Sequence, residues 1–302
     1  MKKPIKRSVG WRAKDKLFSI CYLGPFLILF FLFTILPVGI SIILSFTDYN
    51  VFQSPHIVYL KNYLDLLFSD DEFLTAVKNT FIIAVITGPV GYFASLFVAW
   101  FINDLNPKIR PIMVLFFYAP SISGGVYMIW QIIFSSDAYG YANSLLMYFN
   151  IIDEPIQWFT DTKYMLTLVI IVVIWQSLGA GFLSFVAGLR GIDRSYYEVG
   201  YIEGIRNRWQ ELWYVTLPSM KPQLMFGAVM SITSAFGVGD VTMSLCGFPS
   251  TDYAAHTIIN HLHDYGSVKF EMGYASAIAT ILFAVMVGSN KLVQKAISNV
   301  GK

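Results

Sequence analysis

RGIDRSYYEVGYIEGIRNRWQELWYVTLPSMKP, residues 190–222, is a charged amphipathic stretch between two long apolar segments. A connection between two packed helices needs only a handful of residues. This one is long, mixed in charge and rich in Trp and Tyr, so we expect it to have a structure of its own and to dock onto a partner. We refer to residues 190–222 as the island.

The composition on both sides of the island is that of a membrane protein. Of 302 residues, 56% are hydrophobic and only 13% are charged, against about 25% charged in soluble domains. A helix needs about 20 mostly apolar residues to cross a bilayer core of roughly 30 Å. The sequence therefore predicts an all-α integral membrane protein, with residues 1–16 as a basic N-terminal segment and 17–302 as the transmembrane domain. Six windows are predicted to span: 17–46, 74–102, 109–134, 164–189, 217–245 and 274–293.

The distribution of charge predicts the orientation of these spans. Residues 1–16 contain seven Lys or Arg and one acid, and further basic residues cluster in the island and in the C-terminal tail. The segments expected on the opposite side are acidic, as in 65–72 and 137–161. Because cytoplasmic flanks collect Lys and Arg, we expect a multi-pass protein with both termini and the island in the cytoplasm.

Within the island, the sequence predicts two short helices. Ser195 is a plausible N-cap for a helix over 196–203, and Gly204 is suited to the left-handed conformation that ends a helix. A second helix is expected over 208–214, and Pro218 is expected to open the fifth span. A surface helix of this composition also fits an interpretation in which the island merely rests on lipid headgroups.

Several predicted spans contain glycine or proline where a simple anchor does not need them. Such positions allow close helix packing through small residues, or they mark kinks that line a pathway. The main examples are Pro120 with Gly124 and Gly125, Gly179 with Gly181, and Gly237 with Gly239.

The residues of the island resemble a known motif. Glu-Val-Gly at 198–200, Gly204, and Val-Thr-Leu-Pro at 215–218 resemble the signature loop of binding-protein-dependent ABC importer permeases. That family's pattern is Glu-Ala-Ala, three residues, Gly, about nine residues, then Ile-x-Leu-Pro. The present chain differs in two respects: Val199 and Gly200 replace the alanines, and ten residues separate Gly204 from the last element.

The resemblance extends along the chain and is strongest to carbohydrate importer permeases of the maltose-transporter type. It implies a type I importer permease fold, with the island as a cytoplasmic two-helix coupling loop. The matching pieces are SFTDYN at 45–50, Asn79-Thr80, Ala119-Pro120, Ile129-Trp130, Ala-Gly-Leu at 187–189 and EMGYASA at 271–277.

The resemblance implies a transport subunit of the bacterial cell membrane and not an enzyme. With a second permease, and surrounded by membrane lipid, it would form the path for a sugar or oligosaccharide that an extracytoplasmic binding protein delivers. Two cytosolic subunits would bind ATP and Mg²⁺, whereas no cofactor and no nucleic acid are expected on this chain. The absence of a G-x-x-x-x-G-K-[ST] motif agrees with that division. The residues implied to couple to the ATPase are Glu198, Gly200, Glu203, Gly204, Leu217 and Pro218.

Polar and aromatic residues inside the spans are candidates for the substrate path. A neutral polyol offers C–H surfaces to aromatic rings and hydroxyls to hydrogen-bonding groups, although such residues also serve as packing groups. Asp240 is an acid within a predicted span and so a functional candidate, or an acid near the outer end that meets water. The candidates are Tyr127, Trp130, Gln131, Trp175, Gln176 and Asp240.

Other functions remain open at this point. Glycerol-phosphate-type substrates use similar permeases, and an ATP-independent secondary transporter is a further alternative. His256, His261 and His263 lie near Asp252 and Asp264, which would suit an externally facing metal enzyme. Their spacing matches no standard zinc motif, so we expect a solvated loop and no metal site.

Overall fold

The structure is a computed structural model that describes residues 9–298. Most of the predicted basic segment 1–16 and the C-terminal Lys302 therefore lie outside the described residues, or outside the range in which side chains are described.

Helices account for nearly all regular structure between residues 9 and 298. Within that range the β structure is one bridge between Thr47 and Ile57. Short π-helical segments at Phe31–Ile35 and Leu212–Thr216 connect successive helices. The helices are α1 (Val9–Phe30), α2 (Leu36–Leu44), α3 (Lys61–Phe68), α4 (Asp71–Asn103), α5 (Arg110–Ile122), α6 (Tyr127–Ile133), α7 (Tyr141–Tyr148), α8 (Thr162–Gln176), α9 (Ala180–Gly191), α10 (Arg194–Ile202), α11 (Arg208–Glu211), α12 (Leu217–Ser219), α13 (Lys221–Phe236), α14 (Asp240–Cys246), α15 (Ile258–His263) and α16 (Met272–Ser298).

The apolar helices provide five long membrane spans and one bent pair. In the bent pair, α5 and α6 meet at 85°, which leaves the third span broken. The predicted all-α fold with six spans is thereby confirmed, with the third span present only as this pair. The five long spans are Ile20–Leu44, Asp71–Asn103, Thr162–Gly191, Lys221–Cys246 and Met272–Ile297.

Helix α4 lies at the centre of the bundle. It packs against α8, α9 and α13, and α13 in turn packs against α9 and α16. Glycines allow the closest of these approaches: a Cβ at Gly227 on α13 would lie 2.3 Å from Cζ of Phe185 on α9. A Cβ at Gly181 would lie 3.4 Å from the Cα of Gly227. Gly181 therefore serves close helix packing.

The first span stands apart from this core. None of the residues between Ile20 and Leu44 is buried within the chain, and α2 makes its contacts with α16. In a bilayer, this apolar surface is satisfied by lipid or by another membrane chain.

Two predicted helix boundaries in the island were wrong. Helix α10 begins at Arg194, because the carboxylate of Asp193 accepts a hydrogen bond from Ser195 N and so caps the helix in place of Ser195. The helix that starts at Arg208 continues through Pro218 to Ser219 and ends at Met220. The fifth span therefore opens at α13, where Pro222 occupies the first turn and needs no N–H partner.

Candidate functional site

A cavity of about 460 Å³ lies between the broken ends of three spans. These breaks are the bend between α5 and α6, the gap at Ser177–Gly179 between α8 and α9, and the gap at Gly237–Gly239 between α13 and α14. At membrane depth, non-helical backbone is tolerated where it is buried in protein or lines a water-filled cavity. Gly179, Gly237 and Gly239 line this cavity, so these breaks border an open space between the helices.

The lining of the cavity is rich in hydroxyls and carries a single charged side chain. Thr87 Oγ1 on α4 is buried and has no partner among the described residues. The acid is Asp240, which is exposed at the start of α14. No Lys, Arg or His is among the described residues that line the cavity. The polar and aromatic lining residues are Thr87, Tyr118, Ser121, Tyr127, Gln176, Ser177, Ser231, Ser234 and Asp240.

The structure brings together three of the six residues that the sequence proposes for the path: Tyr127, Gln176 and Asp240 all line the cavity. The other three do not reach it. Trp130 and Trp175 pack edge to face with ring centroids 5.4 Å apart.

Gln131 Nε2 donates a hydrogen bond of 2.6 Å to Ser244 O and so connects α6 to α14.

Sequence reasoning missed the hydroxyls of Thr87, Ser121 and Ser234, which line the cavity. For Ser121 and Ser234, the sequence gives one indication of a place in the cavity, which is that each lies three residues before a glycine at a helix break.

The island, away from the cavity, forms a compact two-helix unit. Helix α10 ends at Ile202, and Gly204, two residues later, has φ +96°. Ile205 N donates to Gly200 O at 3.0 Å, and Gly204 N donates to Tyr201 O at 3.3 Å. This is the hydrogen-bonding pattern of a glycine helix end, so the predicted left-handed glycine is confirmed.

Gly200 is buried where α10 meets the second helix of the island. A Cβ at this position would lie 3.0 Å from Ile205 Cδ1 and 3.1 Å from Val215 Cγ2. The two side chains would have to move to accept even a methyl group. This explains why glycine stands where the family pattern has its second alanine.

The second helix of the island contains a π-helical segment, Leu212–Thr216, which begins within the stretch where this chain has one residue more than the family pattern. Leu217 N donates to Leu212 O, five residues earlier, instead of to the residue four earlier. A π turn holds one more residue than an α turn between hydrogen-bonded partners. After this turn, Leu217 and Met220 are both buried.

The inner side of the island is part of the protein core. Leu212, Leu217 and Met220 pack in one cluster with Phe182 and Phe185 of α9. In the same contact, the hydroxyls of Tyr197 and Thr216 lie 3.3 Å apart. The island is therefore anchored to the helix bundle. An island that merely rested on lipid headgroups would not need these buried contacts.

The exposed outer face of the island is apolar and carries charges of both signs. Within residues 9–298, the carboxylates of Glu198 and Glu203 are exposed and have no hydrogen-bonding or ion-pair partner. Large exposed apolar patches with polar neighbours are typical of protein interaction sites. The exposed apolar and aromatic side chains here are Tyr196, Val199, Tyr201, Ile202, Trp209, Trp213 and Tyr214.

Two of the three histidines at the opposite end of the bundle, His256 and His261, are buried, so the expectation of a solvated loop was wrong for them, whereas His263 is exposed. His256 and His261 are 2% and 0% exposed. The Asn79 side-chain amide donates to the carbonyl of His256 at 3.0 Å, and Thr257 with Asn260 forms a capping box for α15. These contacts hold the segment against α4.

A hydrogen-bond network connects the two histidines to Asp70, the N-cap of α4. His261 Nε2 is 3.0 Å from Asp70 Oδ2, and Tyr274 Oη donates to the same oxygen at 2.8 Å. His261 Nδ1 is 3.4 Å from His256 Nε2. Because Nε2–H of a neutral His261 donates to the Asp70 carboxylate, Nδ1 of His261 is free to accept a hydrogen bond from Nε2–H of His256.

The network shifts two pKa values. Partial burial raises the pKa of the Asp70 carboxyl, but hydrogen bonds from His261, the Phe73 amide and Tyr274 outweigh it and bring the pKa to about 2. Burial lowers the pKa of His256 to about 4, with a further contribution from the neighbouring His261. Both groups therefore keep their neutral-pH charge states well into the acid range.

The five residues considered for a metal site do not converge. His263 packs against the ring of Phe248, and Asp264 pairs with Lys269 at 2.7 Å. Ligand atoms of Asp70, Glu72 and His261 do lie within 4.8 Å of one another. Of these three, Asp70 and His261 are connected by their own hydrogen bond, and Glu72 is in the first turn of α4, next to the cap at Asp70.

The comparisons with known proteins agree on one family. The model described as "Binding-protein-dependent transport system inner membrane component" matches residues 89–298. The chain is 33% identical over 279 residues to the probable ABC transporter permease protein YesP of Bacillus subtilis (strain 168). The aligned region covers 90% of this chain and 88% of that protein. It is 27% identical over 282 residues to the arabinooligosaccharides transport system permease protein AraP of the same organism, covering 92% and 88%.

A solved structure shows the same fold. It is that of a bacterial alginate ABC transporter in complex with an alginate pentasaccharide-bound periplasmic protein. The matched chain has a TM-score of 0.76 and 22% identity, covering 98% of this chain and 99% of that chain.

Proposed function

The chain belongs to the family of binding-protein-dependent transport system inner membrane components, and from this membership we propose that it conducts a neutral sugar or oligosaccharide. It is a multi-pass transport subunit of an ABC importer and not an enzyme. The proposal assigns the cavity at the three helix breaks to the sugar path. It assigns the island to the ATPase that drives transport.

The partners follow from the same assignment. A second permease completes the path, and an extracytoplasmic binding protein delivers the saccharide, as a periplasmic protein does in the alginate transporter. Two cytosolic subunits bind ATP and Mg²⁺. The protein lies in the bacterial cell membrane, with the island end and both termini in the cytoplasm, in accordance with the basic residues at that end.

The outer face of the island supports the ATPase assignment. Unpaired carboxylates on a rigid support, beside exposed Tyr and Trp rings, suit a partner surface that is basic and apolar. Glu198 and Glu203 contact that surface in this proposal. Gly200 and Gly204 keep the two helices of the island close.

The buried side of the island provides the link to the membrane domain. Leu217 is part of the cluster formed with α9, and Pro218 follows it in the helix that leads into α13. Movement of the island is thereby passed to α13 and to the break at Gly237–Gly239, which lines the cavity.

The single observation that carries the substrate assignment is the charge of the cavity. Its described lining has hydroxyls, tyrosines and one carboxylate, and no cationic side chain. A phosphate needs Arg, Lys or a set of free backbone amides, and Asp240 would repel it. This favours a neutral saccharide over a glycerol-phosphate-type substrate.

Uptake into proteoliposomes tests this assignment. The complex with its partner subunits is supplied with binding protein and labelled arabinotriose, lactose or glycerol 3-phosphate. We expect MgATP-dependent uptake of a neutral saccharide, lowered about tenfold or more by Asp240→Ala, since a lost hydrogen bond to a charged group costs about 1.5–3 kcal/mol.

Asp153→Asn, which removes an exposed acid from the outer loop before α8, is the matched control and should leave uptake unchanged. Uptake of glycerol 3-phosphate alone would contradict the assignment. So would full saccharide uptake by an assembled Asp240→Ala complex.

A further inference from the structure

Arg208 connects the island to the end of α4. Its guanidinium forms an ion pair with Asp104, the residue that follows α4, and lies 4.8 Å from the ring centroid of Trp100. The Trp100 ring is itself 5.2 Å from that of Trp209. We call Trp100, Asp104, Arg208 and Trp209 the Arg208 cluster.

The ion pair at Arg208 is too exposed to contribute much to stability. Both side chains are about half exposed, and exposed pairs are typically worth about 0.2–1 kcal/mol. The location of Asp104 is nevertheless specific. It is the C-cap of α4, where a negative charge is unfavourable because the helix dipole is negative at that end. Arg208 offsets that charge from the island.

The other side of the Arg208 cluster is buried. Trp100 is 6% exposed and belongs to the same buried cluster as Leu212 and Leu217 of the island. A planar guanidinium that faces both a ring and a carboxylate has a defined orientation, which a lysine ammonium would lack. The contact therefore fixes the direction of the island relative to α4 as well as its distance.

Helix α4 leads from the Arg208 cluster to the cavity. Thr87, whose hydroxyl has no partner among the described residues, is 13 residues before Trp100 on the same helix. At 1.5 Å per residue the separation is about 20 Å. The chain itself links the island only to α9 and α13, so any coupling to α4 must pass through side chains.

We propose that Arg208 is a positioning residue that transmits movement of the island to α4 and so to the cavity wall at Thr87. The island then moves two walls of the cavity: α13 through the chain and α4 through the Arg208 cluster. This inference rests on the proposed function, because it requires an ATPase that moves the island.

Reactivity of single cysteines in the cavity tests the inference. In a variant with Cys21 and Cys246 replaced by serine and alanine, Thr87→Cys reports on α4 and Ser234→Cys on α13. The reaction rate of each cysteine with a methanethiosulfonate reagent is compared with and without MgATP and vanadate, which hold the ATPase closed.

With Arg208 present, closure should change both rates. We expect Arg208→Gln and Asp104→Asn each to remove the change in reaction rate at Thr87→Cys. For a coupling energy of the usual size, the change that is lost is at least about fivefold. The change at Ser234→Cys should persist, which also shows that the complex is assembled. The exchanged pair Arg208→Asp with Asp104→Arg should restore the response at Thr87→Cys.

Lys108→Gln, which removes an exposed charge from the same short loop as Asp104, is the control and should alter neither response. An undiminished change at Thr87→Cys in Arg208→Gln and Asp104→Asn would overturn the inference and leave the proposed function intact. If neither cysteine responds even with Arg208 present, the proposed function itself fails.

Discussion

At the residue scale, Glu198 is the most direct point of contact that we propose with the ATPase. It is exposed on α10, and within the described chain it has no internal partner, so its removal should leave the fold unchanged. We expect Glu198→Ala to weaken co-purification of the ATP-binding subunit about tenfold or more, as for loss of a charged hydrogen bond. Glu154→Ala, an exposed acid at the opposite end, is the control, and an equal effect of both variants would count against the assignment.

Residue identities in the island were predicted with mixed success, and the reasons are physical. Gly204 was predicted correctly because a positive φ at a helix end selects glycine. The cap was assigned to Ser195 although Asp193 holds it, because Asp and Ser are comparable N-caps and both precede the same helix. The sequence alone does not show which of two candidate caps two residues apart, Asp193 or Ser195, accepts from the free N–H at the start of the helix.

At the element scale, we expect the π-helical segment Leu212–Thr216 to be the place where the island accommodates its extra residue. If the π turn absorbs the insertion, deletion of the exposed Tyr214 should convert it to an α turn and keep Leu217 buried. We therefore expect the deletion variant to retain ATPase coupling and thermal stability. Deletion of Val199 in α10 should abolish coupling, since it moves Gly200 out of its close contact with Val215. Equal loss in both deletions would show that the π turn is not the point of accommodation.

The outer histidine network predicts a stability loss in mild acid. The unfolded chain binds a proton at His256 with a pKa near 6.5, whereas in the folded protein that pKa is about 4. The free energy of unfolding should therefore fall as the pH drops from 6.5 toward 4. From pH 7.5 to 5 the loss is about 2 kcal/mol. The depressed pKa of Asp70 acts in a lower window, between 3.8 and about 2, where its stabilisation is lost.

Thermal unfolding of the purified His256→Gln variant at pH 7.5 and 5 measures how much of this loss in unfolding free energy is due to His256. The variant should lose less stability between the two pH values than the unmodified protein. His56→Gln removes a largely exposed histidine and should retain the full loss. A pH dependence in His256→Gln equal to that of the unmodified protein would contradict the buried neutral state of His256.

The cavity was only partly predictable from the sequence. Tyr127, Gln176 and Asp240 were identified because they are conspicuous among apolar neighbours. Thr87 and Ser234 were not, since hydroxyls in membrane helices commonly bond to their own backbone and carry no signal. Only the convergence of the three helix breaks shows that these hydroxyls face one space.

At the scale of the whole molecule, hydropathy and charge were sufficient for the fold class. Apolar length predicted six spans, and the third proved to be broken between Pro120 and Tyr127 because the segment contains Gly124 and Gly125. The acidic segment that contains the histidines appeared solvated by composition. The burial of His256 and His261 depends on long-range contacts, such as that from Asn79, which no local pattern reveals.

The central claim is that the island binds a cytosolic ATPase while the opposite end of the bundle faces outward. Ile202 on the island is 83% exposed, and Tyr139 at the opposite end is 95% exposed. Each is replaced by cysteine in a variant without Cys21 and Cys246, and membranes are treated with a short bifunctional maleimide. Mass spectrometry then identifies the cross-linked chains. The account predicts that Ile202→Cys is joined to an ATP-binding subunit and Tyr139→Cys is not; an ATP-binding subunit attached through Tyr139→Cys, with none at Ile202→Cys, would contradict it.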